Sequence, residues 1–159
     1  MPLKEILVIG FGSDILSDEG VAIRLVNDLK GKWHKWVDFN TFLTFSLDVL
    51  NAFSGYAHMV LIDACMDEVV GKVNCFSLNN CPQTLHLLNY HDVSLKDGIE
   101  YGKKIDIELP VQIQVLTISI SQAGIINDLF SKALEENYPK VLMETDKFIE
   151  DHILQLSQT

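Results

Sequence analysis

Apolar and polar positions change period several times along the chain, and each change marks an element. Ile6-Leu7-Val8-Ile9 is apolar throughout and stops at Gly10-Phe11-Gly12, the pattern of a strand buried on both faces that runs into a tight turn. A first strand is therefore expected over 3–9. From Glu19 the apolar residues Val21, Ile23, Leu25, Val26 and Leu29 recur among Arg24, Asn27, Asp28 and Lys30, which predicts an amphipathic helix ending at Gly31. Residues 36–43 read as a second strand and 46–53 as a short helix. A third apolar run, Met59-Val60-Leu61-Ile62, is closed by Asp63-Ala64-Cys65. This β-α-β-α-β order predicts an α/β domain with a mainly parallel sheet.

The second half is read in the same way. Residues 72–78 form a strand reached without an intervening helix, so it should lie antiparallel or at an edge. Residues 79–92 are polar and turn-rich, the kind of long loop that carries function in compact α/β domains. A helix is expected over 94–104. The β-branched, alternating segment 111–120 is the candidate for a central fifth strand. Two helices, 125–137 and 141–156, are punctuated by Pro139. The expected fold is a three-layer α/β sandwich, a mainly parallel five-stranded twisted sheet flanked by helices, spanning 1–159 as one domain.

Composition narrows the partners. Hydrophobic residues make up 48% of the 159 and charged residues 21%, far from the signature of a disordered chain. Twelve basic against twenty-two acidic residues give a net charge of -10. Nucleic acid and anionic membranes are poor partners for that field, whereas basic peptides and metal cations suit it. No apolar run approaches the roughly 20 residues of a membrane helix, and the first residues lead into a strand instead of a signal-peptide core, so a cytoplasmic chain without a membrane partner is expected. Cys65, Cys75 and Cys81 contain no C-x-x-C pair, which points to free, mostly buried thiols.

Three constellations could carry chemistry. Gly10-Phe11-Gly12-Ser13-Asp14-Ile15 lies where a dinucleotide fold places its phosphate loop, but Ile15 fills the position of the third glycine and Ser17-Asp18-Glu19 delays the helix. Ser17-Asp18-Glu19-Gly20 can supply a helix cap and nothing more. Yet Glu19 follows the first strand and Asp63 closes the third. In a parallel sheet both ends lie on one edge, where open α/β folds bind ligands, and an acid ending an apolar strand must face a cleft, a donor or a cation. Among the histidines, His34 and His152 read as solvated and His58 lies at the opposite edge. His86 and His91 sit in the 79–92 loop, within reach of the carboxyl edge. Two carboxylates and an imidazole suit a divalent transition metal such as nickel or zinc.

These residues resemble the maturation endopeptidases of nickel-iron hydrogenases. That family shows a strand followed by G-x-G-N-x-L-x-x-D-[DE]-G-x-G, a hydrophobic strand ending in D-A, and a loop histidine. The counterparts here are Ile6 to Ala22, Val60-Leu61-Ile62-Asp63-Ala64, and His91, with Leu43-Thr44-Phe45-Ser46-Leu47 similar to an L-T-P-E-L segment. The resemblance covers about residues 3–98. It implies a metal-dependent endopeptidase that acts, most simply as a monomer, on a hydrogenase large-subunit precursor and removes a C-terminal extension after nickel insertion. It assigns the catalytic and metal-binding roles to Glu19, Asp63 and His91; His86, in the same loop, is a substitute for His91 on position alone. The nickel ion arrives with the substrate, and zinc or cadmium can stand in for it in crystals. Whether the metal polarises the scissile carbonyl, activates a water or serves as a template stays open. Departures are Ser13 for the usual asparagine, Ala22 for the last glycine, Phe42 for a polar residue, and a 117–120 segment without glycine or proline. They keep a second reading in view, a docking factor of the same fold that binds the nickel-loaded precursor without cutting it.

Overall fold

Apolar strand runs need cover on both faces, and two groups of helical segments supply it. The computed structural model describes residues 4–87 and 93–158. In chain order it contains β1 (Ile6–Phe11), α1 (Val21–Trp33), β2 (Val37–Phe42), β3 (His58–Met66), β4 (Val73–Ser77), α2 (Leu95–Lys104), β5 (Gln112–Ile120) and α3 (Lys132–Ser157). Short 3-10 segments occur at Ser17–Gly20, Leu47–Phe53 and Leu78–Asn80. The sheet order is β2-β1-β3-β5-β4. All neighbours are parallel except β4, which runs antiparallel to β5 at one edge.

Val8, Val60, Ile62, Leu116 and Ile118 face α1 and α3. On the other side Leu7, Ile9, Leu61 and Val115 meet Phe45, Leu50 and Phe53 and the α2 residues Leu95 and Ile99. The three-layer α/β sandwich expected from the hydrophobic pattern is the fold observed. Ala22, one of the departures from the family pattern, is fully buried in the α1 layer.

Besides β1, which runs to Phe11 instead of ending at Ile9, four boundaries differ from the sequence reading, each for a physical reason. Helix α1 runs past Gly31 to Trp33, because the indole is buried and its Nε1 donates to Asp146 at 2.7 Å. Strand β3 continues through Asp63 to Met66, because β5 pairs with it as far as Met66↔Ile120. The two expected terminal helices are one, and it starts at Lys132. Pro139 lies on the exposed side of α3, where water can satisfy the carbonyl its missing N–H leaves free, while its neighbours Tyr138 and Val141 are buried in the core. Residues 125–131 are non-helical because they pair with the loop after β1: Asn127 forms a parallel bridge to Leu16. The three thiols are free but not mostly buried, since Cys75 on the edge strand β4 is exposed and Cys65 and Cys81 are partly so.

Strand β2 is the other edge. There the Thr41 N–H donates to Asn40 Oδ1 at 2.9 Å. Among the described residues no helix is long and apolar enough to cross a membrane.

Gly10 sets how closely α1 approaches the sheet: a Cβ there would lie 2.7 Å from the Ala22 carbonyl oxygen and 2.9 Å from Val26 Cγ2. Gly10→Ala should lower stability by about 1–3 kcal/mol, the range for overpacking a core. Urea denaturation measures it, and a midpoint equal to wild type would contradict this close packing.

Candidate active site

The chain leaves β1 for β2 through α1 on one face and returns from β2 to β3 through the Leu47–Phe53 segment on the other. The carboxyl ends of β1 and β3 therefore part, forming the crevice at which open α/β sheets place their ligands. Pairing of β1 with β3 stops at Gly10↔Ile62, one residue before Asp63.

Asp63 is fully buried in the body of β3. An ionised side chain out of water requires partners, and Asp63 has four. Its Oδ1 accepts from the Ala64 N–H at 2.8 Å and from His86 Nδ1 at 2.6 Å. Its Oδ2 accepts from the backbone N–H groups of His86, at 2.7 Å, and Leu87, at 3.1 Å. The loop carrying His86 is pinned from its other side as well, since the His86 carbonyl accepts from the Phe45 N–H and from Thr44 Oγ1, each at 2.9 Å.

Glu19 comes from the 3-10 turn that delays α1. Ser17 and Asp18 do not cap α1, whose N-cap is Gly20 without a side-chain bond. Buried Asp18 instead accepts from the N–H and Oγ of Ser131, both at 2.7 Å, and Ser131 in turn caps α3. The Ser17 N–H donates to the Asn127 carbonyl at 2.7 Å. Gly12, at φ +137°, lets the turn pack down, because a Cβ there would strike the Glu19 carbonyl oxygen. The Glu19 carboxylate is thereby left nearly buried, with Oε2 accepting from the Gly124 N–H at 2.6 Å and Oε1 3.1 Å from His86 Nε2.

His86 thus spans the two acids. Burial alone would lower its pKa, but the hydrogen bond and charge of Asp63, joined by the charge and hydrogen bond of Glu19, outweigh that and hold it above the ordinary histidine value. As the imidazolium it donates to both carboxylates. As the neutral ring it keeps Nδ1–H on Asp63 and turns a bare Nε2 lone pair toward Glu19, the orientation in which a carboxylate-supported histidine ligates a metal. Of the residues expected from sequence, Glu19 and Asp63 are brought to one site. His91 lies outside the described residues, and His86, its substitute in the sequence reading, stands between the acids. Among the described residues no three His, Cys, Asp or Glu side chains are arranged to hold a metal on their own.

The nearby thiols lie in surroundings that disfavour their thiolates. Burial first, then Asp67 and Asp63, raises the pKa of Cys65, while burial and Asp63 push Cys81 up to about 11. Both therefore stay protonated near neutrality, and the thiolate is the reactive form.

No protein-family model matches the chain, and no curated protein does. Solved structures do. The hydrogenase maturating endopeptidase HybD from E. coli superposes over 93% of this chain and 93% of its own, with a TM-score of 0.70 at 16% identity. The NiFe hydrogenase maturation protease HycI from Thermococcus kodakarensis covers 92% and 93%, with a TM-score of 0.65 at 15% identity. An uncharacterized protein from Wolinella succinogenes covers 97% and 99%, with a TM-score of 0.60 at 18% identity. Named hydrogenase maturation endopeptidases are thus among the structural neighbours of this chain, and their fold is its fold.

Proposed function

We propose that the chain is an endopeptidase that removes the C-terminal extension of a hydrogenase large-subunit precursor, whose nickel is recognised by Glu19 and a histidine of the 79–92 loop, with Asp63 positioning that histidine. The observation that carries this reading is His86 suspended between Glu19 and Asp63 at the open end of the sheet. In this reading His86 takes the role that the sequence reading gave to His91. Glu19 Oε1 and His86 Nε2 are 3.1 Å apart, close enough for one ion about 2.0–2.2 Å from each donor to be shared by both. Asp63, whose oxygens already hold four hydrogen bonds, acts through His86 by fixing Nδ1–H and aiming Nε2. Nitrogen and oxygen donors of this kind suit nickel. The nickel belongs to the substrate, and hydrolysis uses water. The site of action in this reading is the cytoplasm.

Mass spectrometry of a nickel-loaded precursor tests the reading. Glu19→Gln and His86→Ala should abolish mass loss while leaving the far-UV spectrum unchanged, and His91→Ala should retain most cleavage. Loss with His91→Ala and retention with His86→Ala would transfer the role to His91. Binding of the precursor by wild type with no mass loss would favour the docking factor over the protease. Asp63→Asn should also lower stability, by about 1–3 kcal/mol, because it leaves buried donors facing an amide.

The pH dependence has a defined sign. The folded pKa of His86 lies above its unfolded value of about 6.5. Its contacts therefore contribute stability that is complete below that unfolded value and is lost as pH rises through the folded one. The stability difference between wild type and His86→Gln should shrink from pH 6 to pH 9 in urea melts. Cleavage should rise over the same interval, because the lone pair that meets the metal is freed. A difference that grows with pH would contradict the imidazolium bridge.

A further inference from the structure

We infer that the paired loops beside Glu19 form the docking surface for a segment of the client polypeptide that carries lysine or arginine among aliphatic residues. The inference rests on the proteolytic reading above and adds a partner surface to it. The loop after β1 and the loop after β5 run side by side: the Asn127 N–H donates to the Ile15 carbonyl at 3.0 Å, the Ser17 N–H returns to Asn127, and Ser17 Oγ donates to the Leu129 carbonyl at 2.9 Å. Both are anchored to buried acids, through Asp18 to Ser131 and through Glu19 to Gly124.

A segment held this firmly could turn its aliphatic side chains inward. Instead Ile15 is 60% exposed, Ile126 84% and Leu129 68%. Single exposed aliphatics are ordinary, but a group of them on a rigid platform marks an interaction surface.

Charge identifies the occupant. Leu129 also borders a cavity of about 320 Å³ between α1 and the start of α3, lined by Asp14, Asp28, Asp128 and Glu135 against one cation, Arg24. Arg24 is already engaged, paired with Glu135 at 2.9 Å and lying 4.0 Å from the Tyr138 ring centroid. Asp28 accepts from the Tyr138 hydroxyl. Asp14 and Asp128 have no ion-pair partner among the described residues. An apolar ledge leading into an acidic cavity accepts a long cationic side chain, its stem along Leu129 and its head at these carboxylates.

The test uses the full chain and a nickel-loaded hydrogenase large-subunit precursor. Ile126→Ser combined with Leu129→Ser should raise KM for the precursor about tenfold, the effect of losing one interface anchor, with kcat within twofold of wild type. Asp14→Asn combined with Asp128→Asn should raise KM at low salt and flatten its dependence on salt. Unchanged KM in the first variant overturns the docking surface while leaving the protease reading intact. A change in the first without the second overturns the basic occupant. A wild-type dimer that the first variant converts to monomers would assign the surface to a second copy of the chain and also overturn it. A wild type that neither binds nor cleaves the precursor removes the proteolytic reading and this inference together.

Discussion

The constraint on which the site depends is the placing of a charge inside a sheet. Asp63 sits in β3 with no solvent exposure, and an isolated carboxylate there would oppose folding by several kcal/mol. Three backbone N–H groups and one imidazole N–H make the position tolerable. Two of those N–H groups belong to the loop before α2. That loop can close only by turning its backbone toward Asp63, and doing so brings the His86 ring over the open end of β3. The position of the histidine is thus a consequence of solvating the acid.

Glu19 is held by a separate set of contacts. Its turn is fixed from below by the absence of a side chain at Gly12 and from outside by residues more than a hundred positions later in the chain. The β5–α3 connection consequently belongs to the site even though it carries none of the three expected ligands. A displacement at Gly124 would reach Glu19 through one hydrogen bond, and one at Ser131 through its neighbour Asp18.

Much of this was legible in the chain. The doubly covered sheet followed from apolar runs at β1 and β3, and the edge position of β4 from the lack of a preceding helix. Glu19 and Asp63 stood out because an acid after an apolar strand needs a reason. The limits of reading are equally physical. That His86 meets the acids depends on backbone N–H groups, which carry no residue-type signal. Asp18 looked like a helix cap, and its pairing with Ser131 is a contact across 113 positions that no local pattern encodes. Pro139 suggested a break in the last helix, but burial of Tyr138 and Val141 on the opposite side overrode it.

Strand β2 raises a question of self-association. A parallel sheet ends there with a row of main-chain groups that another molecule could extend. The Asn40 amide oxygen folds back onto the Thr41 N–H and occupies a donor that an incoming strand would use. Growth of intermolecular ribbons is thereby discouraged at the rim nearest the crevice.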